Sequence, residues 1–132
     1  MSVRCRLLPL IVLAAGIAST AQIRERDPAW TAPTNAAARA NPLKGRLDAA
    51  AGGRKVFDER CATCHGADGR GTGKGPDLTS ADVQAQSDGE LFWKLTSGNT
   101  RSGMPAFSFL PEAQRWQLTL HLRAMPRRPP AP

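Results

Sequence analysis

The sequence has little of what defines multidomain enzymes, disulfide-rich proteins or membrane spans. Its 132 residues are 5% aromatic and include only three cysteines. This length accommodates one domain of ordinary size or less, which disfavours a two-domain enzyme. The most apolar stretch, from Leu7 to Ala18, is shorter than the roughly 20 residues needed to span a bilayer, and no later segment comes close. We therefore expect one small domain.

The first 21 residues have the pattern of a secretory signal peptide. Arg4 and Arg6 form a basic start, the apolar stretch follows, and Ser19 and Ala21 are small residues at the usual cleavage spacing. We predict cleavage after Ala21, which leaves an exported chain with no membrane span. An uncleaved anchor is the alternative.

Positive charge is concentrated at the two ends of the mature chain. The net charge is +7, and the signal removes two of the 18 basic residues and none of the 11 acidic ones, which leaves +5. Residues 48–124 carry equal numbers of basic and acidic residues, so the excess lies in a Pro/Ala-rich arm, residues 22–47, and a Pro/Arg-rich tail, residues 126–132. Because this charge forms no stripe on a folded element, a nucleic-acid partner is not expected. The arm is either disordered or extended along the domain with Trp30 packed down.

Residues 48–125 are predicted to contain three helices and no strand. The first begins at Asp48 as N-cap. It carries one stripe at four-residue spacing, which leads to the cysteines and consists of Ala49, Gly53, Phe57 and Cys61.

The second and third helices have clear start signals. The second runs from about Asp88 to Ser97, because Ser87 and Glu90 have capping-box spacing. The third begins with Pro111 as its first residue and continues to about Ala124. It has two apolar faces, which need two partners, and we expect a neighbouring helix and a cofactor. One face consists of Ala113, Trp116, Leu120 and Ala124, and the other of Leu118, Leu122 and Met125.

The two cysteines of the mature chain stand in Cys61-Ala62-Thr63-Cys64-His65. Two cysteines exclude a disulfide framework, and C-x-x-C-H is the attachment signature of c-type haem. Residues at i, i+3 and i+4 share one helical face, so the two thiols and the imidazole of His65 can contact the same bound group. The thiols can form thioethers with the two haem vinyl groups while His65 binds the iron. The motif predicts one covalent haem c.

Other functions of these residues have weaker support. Zinc requires four ligands, and the mature chain offers only the distant His121 in addition to the pentapeptide. A thioredoxin-like cysteine pair normally accompanies a βαβ pattern, which is not predicted. The glycine-rich segment from Gly66 to Gly75 is not a P-loop, because Lys74 is followed by glycine rather than by Ser or Thr, and it contains no dinucleotide fingerprint.

Met104, Met125 and His121 are the candidates for a sixth iron ligand. Met104 is favoured because it lies in Ser102-Gly103-Met104-Pro105, an irregular segment able to cross the far face of a haem held by the first helix. Met125 ends the third helix, where a packing role is expected, and His121 is expected to be a partly buried helix residue.

From residue 48 to about residue 125, the chain resembles the small exported class I c-type cytochromes of bacteria. Gly53 and Phe57 before the pentapeptide carry this resemblance, together with three later segments: Gly75-Pro76-Asp77-Leu78, Asp88-Gly89-Glu90-Leu91-Phe92-Trp93 and Gly103-Met104-Pro105-Ala106-Phe107.

The resemblance implies an all-α cytochrome c fold, in which three main helices and long loops surround a covalently bound haem. Its first and last helices would cross with Gly53 at the close approach. It also implies that the Pro76 carbonyl accepts a hydrogen bond from His65, and that Leu78 belongs to the cofactor-binding residues. His121 departs from the pattern, because it stands where the family commonly has an aromatic residue.

These observations predict a periplasmic monohaem electron carrier, not an enzyme, with His65 and Met104 as iron ligands. Its expected partners are redox proteins: a dehydrogenase as donor, and a terminal oxidase or another cytochrome as acceptor. One alternative is an electron-accepting subunit of a periplasmic dehydrogenase, with residues 22–47 as a docking arm. Another is a haem enzyme or gas sensor, which requires that Met104 leave the iron open.

Overall fold

The computed structural model describes residue 27 and residues 29–128, so the predicted signal peptide lies outside the described residues. Within the described residues the chain is helical and has no strand, and none of its helices has the length and apolarity to cross a membrane. The α-helices are α1 (Thr34–Ala37), α2 (Leu47–Arg60), α3 (Ala62–His65), α4 (Ala81–Gln84), α5 (Asp88–Ser97) and α6 (Glu112–Ala124), and a 3-10 helix spans Thr100–Ser102. The all-α prediction is confirmed.

Helices α2 and α6 pack closely together at Gly53. A Cβ atom on Gly53 would lie 1.9 Å from the Gln117 carbonyl oxygen and 2.9 Å from the Leu118 nitrogen. Any side chain at this position would therefore force the two backbones apart. This contact is the close approach that the resemblance implies.

The start of α2 differs from the prediction. Arg46 is the N-cap residue, and no side chain caps the helix. Asp48 lies instead in the first turn, where its carboxylate pairs with the Arg46 guanidinium at 2.8 Å. The carboxylate is thus bound to a neighbouring cation, and it still lies near the positive end of the helix dipole.

Helix α5 has the predicted bounds and the predicted cap. The Ser87 hydroxyl accepts a hydrogen bond from the Glu90 backbone nitrogen at 3.1 Å, and the Ser87 nitrogen donates to the Glu90 carboxylate at 2.6 Å. Helix α6 begins one residue later than predicted, because Pro111 is its N-cap residue rather than its first helical residue.

One apolar cluster fills the space among the three longer helices and the loops. Its buried members are Phe57, Cys61, Leu95, Phe107, Leu110, Leu118, Leu122 and Met125. Leu78 and Met104 are partly buried and pack against it. The cluster therefore brings together Cys61 of the motif, Met104, which is the candidate sixth ligand, and Leu78, which follows the glycine-rich loop.

The predicted two-faced pattern of α6 is only partly right. The face with Leu118, Leu122 and Met125 joins the core, but Ala113 and Ala124 on the other face are exposed. Ala113 and Ala124 lie near the two ends of α6, away from the crossing with α2 near Gln117. The buried residues of α6 are Trp116, Leu118, Thr119, His121 and Leu122.

The described part of the arm packs against α5 and α6. The Ala36 carbonyl oxygen lies 2.1 Å from where a Cβ on Gly89 would stand, so the arm and α5 touch at backbone distance. The Ser87 hydroxyl donates to the Ala37 carbonyl at 2.7 Å, and the Asn41 amide donates to the Trp116 carbonyl at 3.1 Å. Of the two expected arrangements, packing along the domain is the one observed, and it includes the single helical turn α1.

Arm side chains reinforce this contact through aromatic rings. The Arg39 guanidinium lies 4.7 Å from the centre of the Phe92 ring and pairs with Glu112 at 2.5 Å. The Lys94 ammonium lies 4.7 Å from the centre of the Trp30 ring. Trp30 is half-buried, as expected for an arm that packs down on the domain.

Candidate functional site

The three residues of the haem motif lie around one turn at the end of α2. Cys61 is the C-cap of α2 and the N-cap of α3, and its carbonyl accepts hydrogen bonds from the backbone nitrogens of Cys64 at 3.1 Å and His65 at 3.0 Å. Cys61 is buried in the core cluster, Cys64 is exposed, and both thiols are free. The turn therefore presents two unpaired thiols and one imidazole next to the apolar cluster.

The orientation of His65 is fixed by a hydrogen bond to Pro76. The His65 Nδ1 atom lies 2.9 Å from the Pro76 carbonyl oxygen, which can only accept, so Nδ1 carries the proton. The other nitrogen, Nε2, is then the one with a lone pair for a metal. This contact is the hydrogen bond that the resemblance implies.

The glycine-rich loop holds the end of α3 through its backbone. The Gly71 nitrogen donates to the His65 carbonyl at 2.7 Å, and the Thr72 hydroxyl donates to the Cys64 carbonyl at 2.6 Å. A Cβ on Gly75 would lie 2.7 Å from that same Cys64 carbonyl and 3.0 Å from His65 Nδ1. Gly75 thus allows the loop backbone to approach the motif closely, a role that involves no phosphate ligand.

The segment after Pro76 is held by polar contacts that the sequence did not predict. The Asp77 carboxylate accepts hydrogen bonds from the Thr79 nitrogen at 2.7 Å and the Thr79 hydroxyl at 2.6 Å, and it pairs with Arg128 at 3.2 Å. Burial raises the pKa of Asp77, but the hydrogen bonds from Thr79 and Arg128 outweigh it and hold the pKa below its ordinary value. The buried Gln84 amide donates to the Leu78 carbonyl at 2.9 Å and to the Leu122 carbonyl of α6 at 3.1 Å.

Among these contacts, only the one between Asp77 and Thr79 could have been predicted, from the spacing of the two residues. Asp77 and Thr79 are two residues apart, as in an Asx turn. Gln84 and Arg128 had no such signal, because their partners are far away in the sequence.

Met104 follows the 3-10 helix and is held by backbone pairing with Asn99. The Asn99 and Met104 nitrogens each donate to the other residue's carbonyl at 2.9 Å. The Met104 side chain is partly buried against the core cluster, on which Leu78 also packs.

The other two candidates for the sixth ligand have packing roles. Met125 is buried in the core, and a Cβ on Gly69 would lie 2.5 Å from its sulfur. The His121 ring lies 5.1 Å from the Phe57 ring, centre to centre, and is buried. Met104 also packs against the core cluster, so its choice as the sixth ligand stays a prediction.

The thiol chemistry does not favour a thioredoxin-like function. Burial, and to a smaller extent the neighbouring Cys64, raises the pKa of the Cys61 thiol to about 11. Reactive thiols of disulfide oxidoreductases have lowered pKa values, because the thiolate is the nucleophile.

Among residue 27 and residues 29–128, no three His, Cys, Asp or Glu side chains form a group that could hold a metal ion.

Comparisons with known proteins identify the family and the fold. The family described as cytochrome c oxidase, cbb3-type, subunit III matches residues 48–122. Cytochrome cL from the marine methylotrophic bacterium Methylophaga aminisulfidivorans MPT is similar in structure, with a TM-score of 0.55, 23% identity, and coverage of 63% of this chain and 57% of that one. The c-type cytochrome KustC0563 is also similar, with a TM-score of 0.52, 27% identity, and coverage of 58% of this chain and 98% of that one. No curated protein matches significantly.

The matched region begins at the first turn of α2 and ends within α6, so it contains the cysteine motif, the glycine-rich loop and Met104. The chain spans about 57% of the length of cytochrome cL and nearly all of the second cytochrome. Residues 48–122 therefore form a small class I cytochrome c domain with the all-α cytochrome c fold, and the chain belongs to the family described as cytochrome c oxidase, cbb3-type, subunit III.

Proposed function

We propose that this chain is a periplasmic monohaem electron carrier. Membership of the family establishes haem-based electron transfer at the level of the domain. The finer assignment is that one haem c is attached through Cys61 and Cys64 and that His65 and Met104 are the iron ligands. The observation that carries it is the 2.9 Å hydrogen bond between His65 Nδ1 and Pro76, which leaves Nε2 for the metal.

The residues present fit a covalent haem in three respects. The two thiols are free and stand at the motif spacing, one of them buried in the apolar cluster. The imidazole beside them is held in one tautomer. The partly buried side chains of Leu78 and Met104 pack against the cluster that contains Cys61. An apolar porphyrin with one nitrogen ligand and one thioether ligand is the group that such residues would hold.

The bound haem supplies an iron that gains one electron from a donor and passes it to an acceptor. The protein residues determine how this happens. The Pro76 carbonyl keeps the proton on His65 Nδ1 and makes the imidazole a stronger electron donor. Met104 would supply the second protein ligand and leave no position for a substrate, and a thioether raises the potential relative to a second nitrogen ligand.

A methionine-ligated carrier suits oxidising acceptors. We therefore propose a terminal oxidase or another cytochrome as acceptor and a dehydrogenase as donor, and the signal-like sequence before residue 22 supports a periplasmic location. The packing of the arm bears on the alternative of a dehydrogenase subunit. Ala36, Arg39 and Asn41 contact the chain's own helices, so a docking surface on the arm would consist of its outward face.

Two methionine variants test the ligand assignment. The purified ferric protein should show the weak near-infrared band of sulfur-to-iron ligation. Met104→Ala should lose the band, lower the potential and let the reduced protein bind carbon monoxide readily. Met125→Ala is the matched control and should keep the band, because Met125 packs in the core.

Loss of the band in Met125→Ala would contradict the proposed packing of α6. Absence of the band from the wild-type protein would favour the haem enzyme or gas sensor with an open iron position.

A further inference from the structure

We infer that the C-terminal tail is a clasp that positions His65. In this arrangement Arg128 holds Asp77, and Asp77 orients the Pro76 carbonyl that accepts the hydrogen bond from His65. The inference rests on the proposed function, because it concerns the orientation of the proposed iron ligand. Arg128 lies beyond residue 122, where the family match ends, whereas Asp77, Pro76 and His65 lie within the match.

The peptide group between Pro76 and Asp77 is confined on one side by the glycine-rich loop. A Cβ on Gly71 would lie 2.8 Å from the Asp77 nitrogen and 3.0 Å from the Pro76 carbonyl carbon. Gly71 also donates its N–H to the His65 carbonyl at 2.7 Å. The peptide that carries the acceptor oxygen therefore packs against the same backbone that holds the histidine.

The turn that begins at Asp77 confines the peptide on its other side. The Asp77 carboxylate accepts two hydrogen bonds from Thr79, and the Ser80 hydroxyl donates to the Asp77 carbonyl at 3.0 Å. The carboxylate is mostly buried, with its side chain 16% exposed. Its position fixes the backbone of Asp77, and through that backbone it fixes the direction of the preceding carbonyl.

The tail reaches this turn through two contacts. The Arg128 nitrogen donates to the Thr79 carbonyl at 3.1 Å, and its guanidinium donates to the Asp77 carboxylate at 3.2 Å. The path of the tail is set by Met125, which is buried against Gly69 at the end of α6. Arg127 has the same charge and is exposed, and it makes no hydrogen bond or ion pair with the described residues, so it provides a matched control.

The clasp predicts that its loss acts to raise the reduction potential, whereas the loss of the Arg128 charge by itself would lower it. The Pro76 acceptor makes His65 more electron-donating, which favours ferric iron, so a looser acceptor should raise the potential. Removing a nearby positive charge instead favours the more positive ferric iron and should lower the potential. Replacing either Arg127 or Arg128 with a neutral residue removes one positive charge. Only the replacement of Arg128 also breaks the clasp.

The test uses the haem-loaded mature protein and its variants Arg128→Gln, Arg128→Lys, Arg128→Pro and Arg127→Gln. Solvent exchange of the His65 Nδ1 proton, followed by NMR, should be about two- to five-fold faster in Arg128→Gln, the range that one partly exposed ion pair can supply. It should be faster still in Arg128→Pro, which also removes the N–H that bonds Thr79. The potential of Arg128→Gln should lie above that of Arg127→Gln, and Arg128→Lys should restore both properties in part.

Unchanged proton exchange in Arg128→Pro would overturn the clasp, and so would equal effects of Arg127→Gln and Arg128→Gln. These results leave the proposed function intact, because the wild-type protein still carries its haem. A wild-type protein without covalent haem would overturn both.

Discussion

At the scale of single residues, His121 is the clearest departure from the cytochrome pattern. Its ring packs against Phe57, and its Nε2 atom is buried without a hydrogen-bond partner among the described residues. Burial lowers the pKa of His121 below its ordinary value of 6.5; Arg54 lowers it further, and Asp58 opposes both. Burial therefore disfavours the charged form of the imidazole in the folded protein. A phenyl ring at this position would have no polar atom that needs a partner.

We predict that His121→Phe stabilises the folded protein, by about 1 kcal/mol, because it removes an unpaired buried nitrogen. As the pH falls below 6.5, the unfolded chain takes up the His121 proton before the folded chain does, so wild-type stability falls with it. The variant should lose this part of the pH dependence. Thermal unfolding at about pH 8 and about pH 5.5 measures both effects.

The same loss of stability between these pH values in His121→Phe would show that other groups cause the dependence. A variant less stable than wild type at the higher pH would show that the larger ring does not fit against Phe57.

At the scale of elements, the contact between α2 and α6 organises the domain. Two adjacent glycines lie at this contact, but their environments differ. A Cβ on Gly53 would meet backbone atoms of Gln117 and Leu118, whereas a Cβ on Gly52 would meet only the Gln117 side chain, at 2.9–3.1 Å. The backbone cannot move without separating the helices, and the side chain can rotate away.

We therefore predict that Gly53→Ala destabilises the holoprotein by about 3 kcal/mol or more, or prevents its accumulation. Gly52→Ala is the matched control. It should stay within about 1 kcal/mol of wild type, because the gain in helix propensity offsets the displaced side chain. Urea unfolding monitored by far-ultraviolet circular dichroism measures both variants. Equal destabilisation by the two substitutions would show that the helices do not meet at Gly53.

Much of this architecture is predictable, because local patterns determine it. The capping box of Ser87 and Glu90 indicated α5, and the four-residue stripe through Gly53 and Phe57 indicated α2. The close approach at Gly53 followed from the family resemblance. The predicted start of α2 was wrong, because Asp48 looks like an N-cap in the sequence but pairs with Arg46 in the structure.

Contacts between distant parts of the chain could not be predicted in the same way. The arm is held by backbone carbonyls and by Asn41, a polar residue in a segment without periodicity. The long-range contacts of the candidate site could not be predicted either. Spacing alone indicates Cys61, Cys64 and His65, but nothing in the sequence indicates that Gln84 bridges the loop to α6.

At the scale of the whole molecule, both ends of the described chain are part of the fold. Arginines of the basic arm and tail pair with carboxylates of the domain: Arg39 with Glu112, Arg46 with Asp48, and Arg128 with Asp77. The two ends therefore extend the cytochrome domain beyond the matched residues. A domain of this size buries limited apolar surface, so covalent attachment of a haem among its core residues would contribute substantially to its stability.

The central claim is that this chain carries one haem c bound covalently through Cys61 and Cys64. Acid-acetone extraction of the purified mature protein, followed by intact mass measurement, tests it most directly. We predict that one haem stays with the polypeptide, because thioether bonds survive unfolding, and that replacing both cysteines with alanine removes it. Haem that extracts freely from the wild-type protein, or a polypeptide mass without haem, would contradict the account.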